Sequence, residues 1–266
     1  MQAGVLIADR DRLAFRHDVT RAALYAGVPT SARHALHLQA GQALTAAGAP
    51  VERAAQHMLA GMSVDTRVLG WLAESSERLS ARAPELAADL LSRAVERADA
   101  RDELVGRLRV ALAAALLRAG RFVRAEAVAR EAPAAGPDPG SEPPLRWILV
   151  HACINQGDAE AALRESQTAL SSANLTLAQT ARFHGAAAQW LHILSRPVQA
   201  TAEADSARRD GIASGDAQAS AYGLQAAAGA KRWAGRFAEA LDLAGQAVAF
   251  LTSRVELAAL VARRPG

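Results

Sequence analysis

The feature that most constrains this chain is an internal repeat. Aligned on Arg82, Gly120, Gly157, Ser195 and Gly235, it carries alanine five residues after each anchor, at Ala87, Ala125, Ala162, Ala200 and Ala240. Alanine returns twelve residues after each anchor, at Ala94, Ala132, Ala169, Ala207 and Ala247. The anchors are 38, 37, 38 and 40 residues apart. A period of this size marks an architecture in which one supersecondary unit stacks on the next and builds a continuous core.

Each unit reads as two helices joined by a sharp reversal. Ahead of the anchor, apolar residues recur at helical spacing, as at Leu108, Leu112, Ala115 and Leu116, or Trp147, Val150 and Ile154. Gly120-Arg121-Phe122, Gly157-Asp158 and Gly235-Arg236-Phe237 then place glycine where a helix must stop. In the other two units Ala83-Pro84 and Arg196-Pro197 turn the chain, with proline at the start of the second helix, where its missing N–H costs nothing. The alanines of the second helix are expected where two helices cross too closely for a larger side chain.

The glycine and aromatic turn followed by the two alanines, Gly120-Phe122-Ala125-Ala132 and Gly235-Phe237-Ala240-Ala247, resembles the tetratricopeptide repeat. The likeness covers roughly residues 66 to 252, with a period longer than that family's ~34 residues. Helices one turn longer than usual would account for the difference. Composition agrees with stacked helices: hydrophobic residues make up 51% but aromatics only 4%, and alanine, the best helix former, supplies much of the rest. A sandwich or barrel would need more β-branched and aromatic residues.

The first thirty residues read differently. Val5-Leu6-Ile7, a charged turn at Asp9-Arg10-Asp11 and Leu13-Ala14-Phe15 predict a β-hairpin over residues 5–17. Asp18 is expected to cap a helix running through Tyr25 and stopped at Val28-Pro29. A second helix should start near Thr30 or Ser31, with Ala35, Leu38 and Leu44 on one face. A hairpin followed by helices suits the wing end of a winged-helix module.

Three segments sharpen that reading: 13–25, which contains Phe15-Arg16-His17-Asp18, 33–37, and 47–57. Over residues 12–60 they resemble large ATP-dependent transcriptional regulators of the LuxR type. In that family an ATPase module ends in a winged helix bearing a Phe-Arg-His-Asp-Leu segment, helical repeats follow, and a helix-turn-helix closes the chain. By analogy with the Met-His-Asp motif of related signalling ATPases, the resemblance implies that His17 donates a hydrogen bond to a nucleotide phosphate when an ATPase module is present. Asp18 would then orient the histidine or cap the helix. The plainer alternative is that His17 ends a wing strand and Asp18 is an ordinary cap.

Several chemistries have no support in the sequence. No Gly-x-x-x-x-Gly-Lys-[Ser/Thr] phosphate loop occurs, and the only lysine, Lys231, falls inside a repeat helix. No helix-turn-helix segment follows residue 252, so the chain reads as a middle slice of such a regulator, from a truncated frame, a split gene or an excised fragment. The net charge of +3 is spread as arginine over the surface, without the cationic cluster of a nucleic-acid reader. The single cysteine, Cys153, excludes an internal disulfide and a cysteine zinc site, and reads as a small core residue. His34 and His37 share a helical face but lack a third ligand. His151 and Cys153, two apart on a helix, point to different sides. No run approaches the ~20 apolar residues that span a bilayer, and no signal sequence opens the chain, so a cytoplasmic location is expected.

The expectation is therefore an all-α, tetratricopeptide-like solenoid of antiparallel hairpins with a short N-terminal β-hairpin remnant of a winged helix. Its parts are residues 1–29 (wing remnant), 30–65 (divergent helix pair), 66–254 (repeats) and 255–266 (tail). The twelve residues Pro133 to Pro144, with five prolines, make a loop between repeats in preference to a hinge. The chain should be non-catalytic, with no metal and no cofactor of its own, and with no direct nucleic-acid or membrane contact. It should bind a protein partner or small-molecule effector on the repeat surface, and its uncapped ends permit self-association. Trp71, Trp147, Trp190 and Trp233 all fall in first helices, as packing anchors or as a binding surface. A free-standing scaffold and the sensor part of a signalling enzyme are the alternative settings.

Overall fold

The computed structural model describes residues 5–9, 12–61, 66–99, 104–132 and 140–262. Among them are thirteen α-helices and one two-stranded sheet, as expected for an all-α repeat fold with a small hairpin. The chain forms two compact units, Met1–Ala98 and Asp99–Gly266, so the first registered hairpin belongs to the N-terminal unit.

In the N-terminal unit, β1 (Leu6–Asp9) pairs antiparallel with β2 (Arg12–Phe15), with Leu6 opposite Phe15. The turn residues Arg10 and Asp11 lie outside the described residues. Helix α1 (Asp18–Gly27) follows, and its capping differs from the expected one. The cap position is His17, in extended backbone and with no side-chain cap bond, while Asp18 is already helical. A residue inside the first turn cannot fold its carboxylate back as a cap does. Asp18 instead lies 3.5 Å from Arg21 Nε.

Helices α2 (Thr30–Ala46) and α3 (Val51–Ala60) form the divergent pair, reversing at Gly48. The expected apolar face of α2 is weak: Ala35 is exposed, and Leu38 and Leu44 are half-buried. Its one buried residue is Gly41, where a Cβ would stand 3.2 Å from the Met58 side chain. The pair meets through that thioether and through His37 against His57. Helices α4 (Thr66–Arg82) and α5 (Pro84–Arg97) close the unit around Leu72, Leu79, Leu90 and Leu91.

The second unit holds four hairpins: α6 (Leu104–Arg118) with α7 (Phe122–Glu131), α8 (Glu142–Asn155) with α9 (Ala159–Leu170), α10 (Leu177–Ile193) with α11 (Pro197–Ala213), and α12 (Ala217–Trp233) with α13 (Phe237–Ala262). Each helix packs on the next, and each first helix also touches the first helix of the following hairpin. Helix α7 packs on α8 within this unit, but α8 begins at Glu142, so Pro143 and Pro144 of the expected loop belong to its first turn, where a missing N–H costs nothing; residues 133–139 lie outside the described residues. The long period has two origins. Helices α10 and α11 span 17 residues each, as long helices require, whereas α7 spans only 10 and its repeat is lengthened by the segment that follows.

Four of the five anchors close their hairpins in one way. At Gly120, Gly157, Ser195 and Gly235 the backbone is left-handed. The next residue's N–H donates to a carbonyl five residues back, as Arg121 to Leu116 and Arg196 to Leu191. The anchor N–H donates three back, as Gly120 to Leu117 and Ser195 to His192. These paired bonds satisfy carbonyls left over at the helix end. Ser195 occupies the glycine slot at φ 59°. Ser195→Gly should therefore stabilise the second unit by about 1 kcal/mol, read as a higher urea midpoint; a lower midpoint would show that the serine side chain compensates.

The registered alanines lie at the helix crossings. Ala87, Ala94, Ala125, Ala162, Ala200 and Ala207 are fully buried, Ala132, Ala169 and Ala247 nearly so, and Ala240 half-buried. Polar ties run within and between hairpins, with Arg130–Glu165 and Arg196–Glu160 joining neighbouring ones about one period apart. Arg130 and Arg146 donate to the two oxygens of buried Glu165 at 3.1 and 2.6 Å, and Arg196 donates to Glu160 at 2.8 Å.

Candidate functional site

A cavity of about 650 Å³ lies between α10, α12 and α13 of the second unit. Its walls follow helical spacing. Helix α10 contributes Gly185, Gln189 and His192, α12 contributes Tyr222, Ala226, Gly229, Arg232 and Trp233, and α13 contributes Phe237, Leu241 and Ala244. The hollow exists because small residues line its middle. A Cβ on Gly229 would meet nothing within 4 Å, whereas one on Gly185 would stand 2.6 Å from the Tyr222 ring. The glycine at 185 thus lets Tyr222 lie flat against α10.

Aromatic and polar groups surround this hollow. The His192 and Trp233 rings stack with centroids 5.7 Å apart at 13°. Trp233 is 62% exposed and Phe237 68% exposed, and Leu241 and Ile193 on the same lining are also exposed, so the cavity opens onto an apolar patch. The buried Nε2 of His192 has no hydrogen-bond partner among the described residues. Burial and, secondarily, the Arg232 guanidinium hold the His192 imidazole below its ordinary pKa, favouring the neutral ring. Burial pushes the Tyr222 phenol up to about 12, so it stays protonated.

The tryptophans divide between the two roles. Trp190 is a core residue beside Phe183 and Leu191. Trp147 is half-buried and meets His151, Phe183 and Tyr222 edge-on. Trp71 is half-buried in the N-terminal unit, and Trp233 alone lies open at the cavity. The sequence places all four in first helices but does not single out Trp233. The only available signal is that its hairpin is the last in the register.

The other candidates are not brought together. His17 is exposed at the start of α1. His37 pairs with His57, Nδ1 to Nδ1 at 3.0 Å, and with the Tyr25 hydroxyl at 2.8 Å, rather than with His34. No group of three or more metal-ligating side chains occurs among the described residues. Cys153 is buried, and burial pushes its thiol up to about 11, away from nucleophilic use. No helix of the described residues is long and apolar enough to cross a membrane.

Three histidines share one electrostatic consequence. His37, His151 and His192 are all held below the ordinary 6.5, in each case chiefly by burial. Between that lowered value and 6.5 the unfolded chain binds more protons than the folded one. Their contribution is complete above the unfolded pKa and is lost as pH falls through the folded values. The melting temperature should therefore fall between about pH 7 and about pH 5; a profile that rises on acidification would contradict the burial of these rings.

No protein-family model matches the chain, and no curated protein matches it in sequence. Among solved structures it is similar to the crystal structure of BtubC (BKLC) from P. vanneervenii, with TM-score 0.54 and 16% identity over 89% of this chain and 93% of that one. At that identity the likeness establishes a shared helical architecture. The chain is a helical-repeat fold with a small β-hairpin, and the LuxR-type resemblance has no support from a matching family.

Proposed function

We propose that this chain is the effector-binding repeat region of a LuxR-type ATP-dependent transcriptional regulator, non-catalytic in itself. The observation that carries the reading is the N-terminal element. Phe15-Arg16-His17-Asp18 spans the end of β2 and the head of α1, directly ahead of the helix hairpins. That element also leaves Leu6, Ile7, Val19 and Leu24 exposed at 46 to 81%, and α1 buries none of its residues. So much open apolar surface on one small element suits a piece that docks against another module. In this reading His17 contacts a nucleotide phosphate supplied by that module, and the cavity of the second unit receives the effector.

The reading is tested by the reading frames beside this one. A phosphate loop upstream or a helix-turn-helix downstream is expected; a cyclase or kinase domain there would overturn it in favour of a signalling enzyme. The isolated chain should neither hydrolyse ATP nor bind it, because its sequence lacks the phosphate loop whose backbone N–H groups cradle a triphosphate. Calorimetric affinity in the low micromolar range would overturn that part. A free-standing helical scaffold is the second reading, favoured by the match to nearly the full length of a solved helical chain.

A further inference from the structure

We infer that the cavity between α10, α12 and α13 binds a small molecule with a flat, largely apolar body and a single acidic group. The inference rests on the binding-module reading above and adds the chemistry of the ligand. Three observations carry it.

The cavity is of small-molecule size: about 650 Å³ falls inside the range of ligand pockets and is too small for a partner helix. Its surface offers stacking without a partner. Trp233 at the end of α12 and Phe237 at the head of α13 both stand open at the cavity, and Trp233 already lies nearly parallel to the His192 ring, so a second flat ring has a ready platform. Its charge is uncompensated. Arg232 makes no ion pair among the described residues, while its neighbours Lys231 and Arg236 are both matched to Glu239. No acidic side chain lines the cavity. A carboxylate on the ligand would supply the missing partner to Arg232, and an acceptor or donor on its body would reach the unpartnered His192 Nε2.

Gly229 provides a direct test. Its Cβ position is open space in the cavity, so Gly229→Leu starts a bulky side chain into the hollow with no clash at Cβ. The full chain is titrated by calorimetry with 2-naphthoate and with its uncharged analogue, 2-naphthalenemethanol. Wild type is expected to bind naphthoate with a Kd on the order of 0.1 to 1 mM, as its small size dictates. Arg232→Gln should weaken naphthoate about tenfold and leave the alcohol unchanged. Gly229→Leu should abolish both, with a melting temperature no lower than wild type.

Naphthoate binding that survives Gly229→Leu overturns the site. Equal affinity for acid and alcohol overturns the role of Arg232, and no heat of binding up to about 10 mM overturns the ligand class. These outcomes are independent of the neighbouring reading frames. Probe binding in a chain without an ATPase partner leaves the cavity assignment standing and removes only the regulator reading.

Discussion

Replacing Gly223 by alanine should destabilise the second unit by roughly 3 kcal/mol, the largest effect expected of a methyl group added at any described glycine. Added there, a Cβ would collide with the Ala207 carbonyl oxygen and stand 2.9 Å from the Arg208 Cα. Both neighbours are backbone of α11, so no rotamer change relieves the contact. The opposite glycine behaves alike: a Cβ on Gly211 of α11 would stand 2.6 Å from the Ala219 carbonyl of α12. The two helices therefore meet backbone to backbone at two points, and Ser220 locks the junction by donating to the Gly211 and Asp216 carbonyls at 2.9 and 2.8 Å. A helix-favouring Gly→Ala change ordinarily gains up to about 1 kcal/mol, so a net loss in urea denaturation isolates the clash. A Gly223→Ala protein as stable as wild type would mean that α11 and α12 do not touch.

Ala162→Leu should cost about 1–3 kcal/mol by overpacking. Ala162 is fully buried in the cluster formed by Val150, Cys153, Leu163 and Phe183, where α9 crosses its neighbours. Three extra carbons have no cavity to enter, so the side chain must distort or the helices must separate. Ala240→Leu is the internal comparison. It occupies the same register position but is half-buried beside the open cavity, and its cost should be clearly smaller. Denaturant midpoints on both variants separate the register from the local environment. Equal losses would show that the cavity is closed in solution, and an unchanged Ala162→Leu midpoint would show that the repeat register is wrong.

The two predictions differ in how far the sequence alone could reach them. The five registered alanine pairs are legible because a solenoid solves the same packing problem at every repeat, so small residues recur at a fixed distance from the turn. The turns are legible for the same reason: a left-handed residue at the helix end selects glycine, and where serine stands at 195 the hairpin still closes. Gly211 and Gly223 carry no such signal. They belong to one crossing between one pair of helices, and a glycine in a helical stretch could as well be neutral, as Gly106 and Gly229 are, with nothing within 4 Å of an added Cβ.

The candidate site follows the same division. The sequence places Trp233, Arg232 and His192 in helices at periodic positions, but that describes core and surface equally well. Their role depends on which faces of α10, α12 and α13 converge on the cavity. Likewise, His34 and His37 share a helical face by spacing, yet His37 turns to His57 across the α2–α3 reversal. By itself the sequence determined the helix hairpins, their turns and the small residues at their crossings, because those depend on contacts local in the repeat. Only the tertiary structure decided which glycines bear backbone contact, which tryptophan stays open and which arginine lines a cavity free of acidic side chains, because these are settled by side chains one or more repeats away.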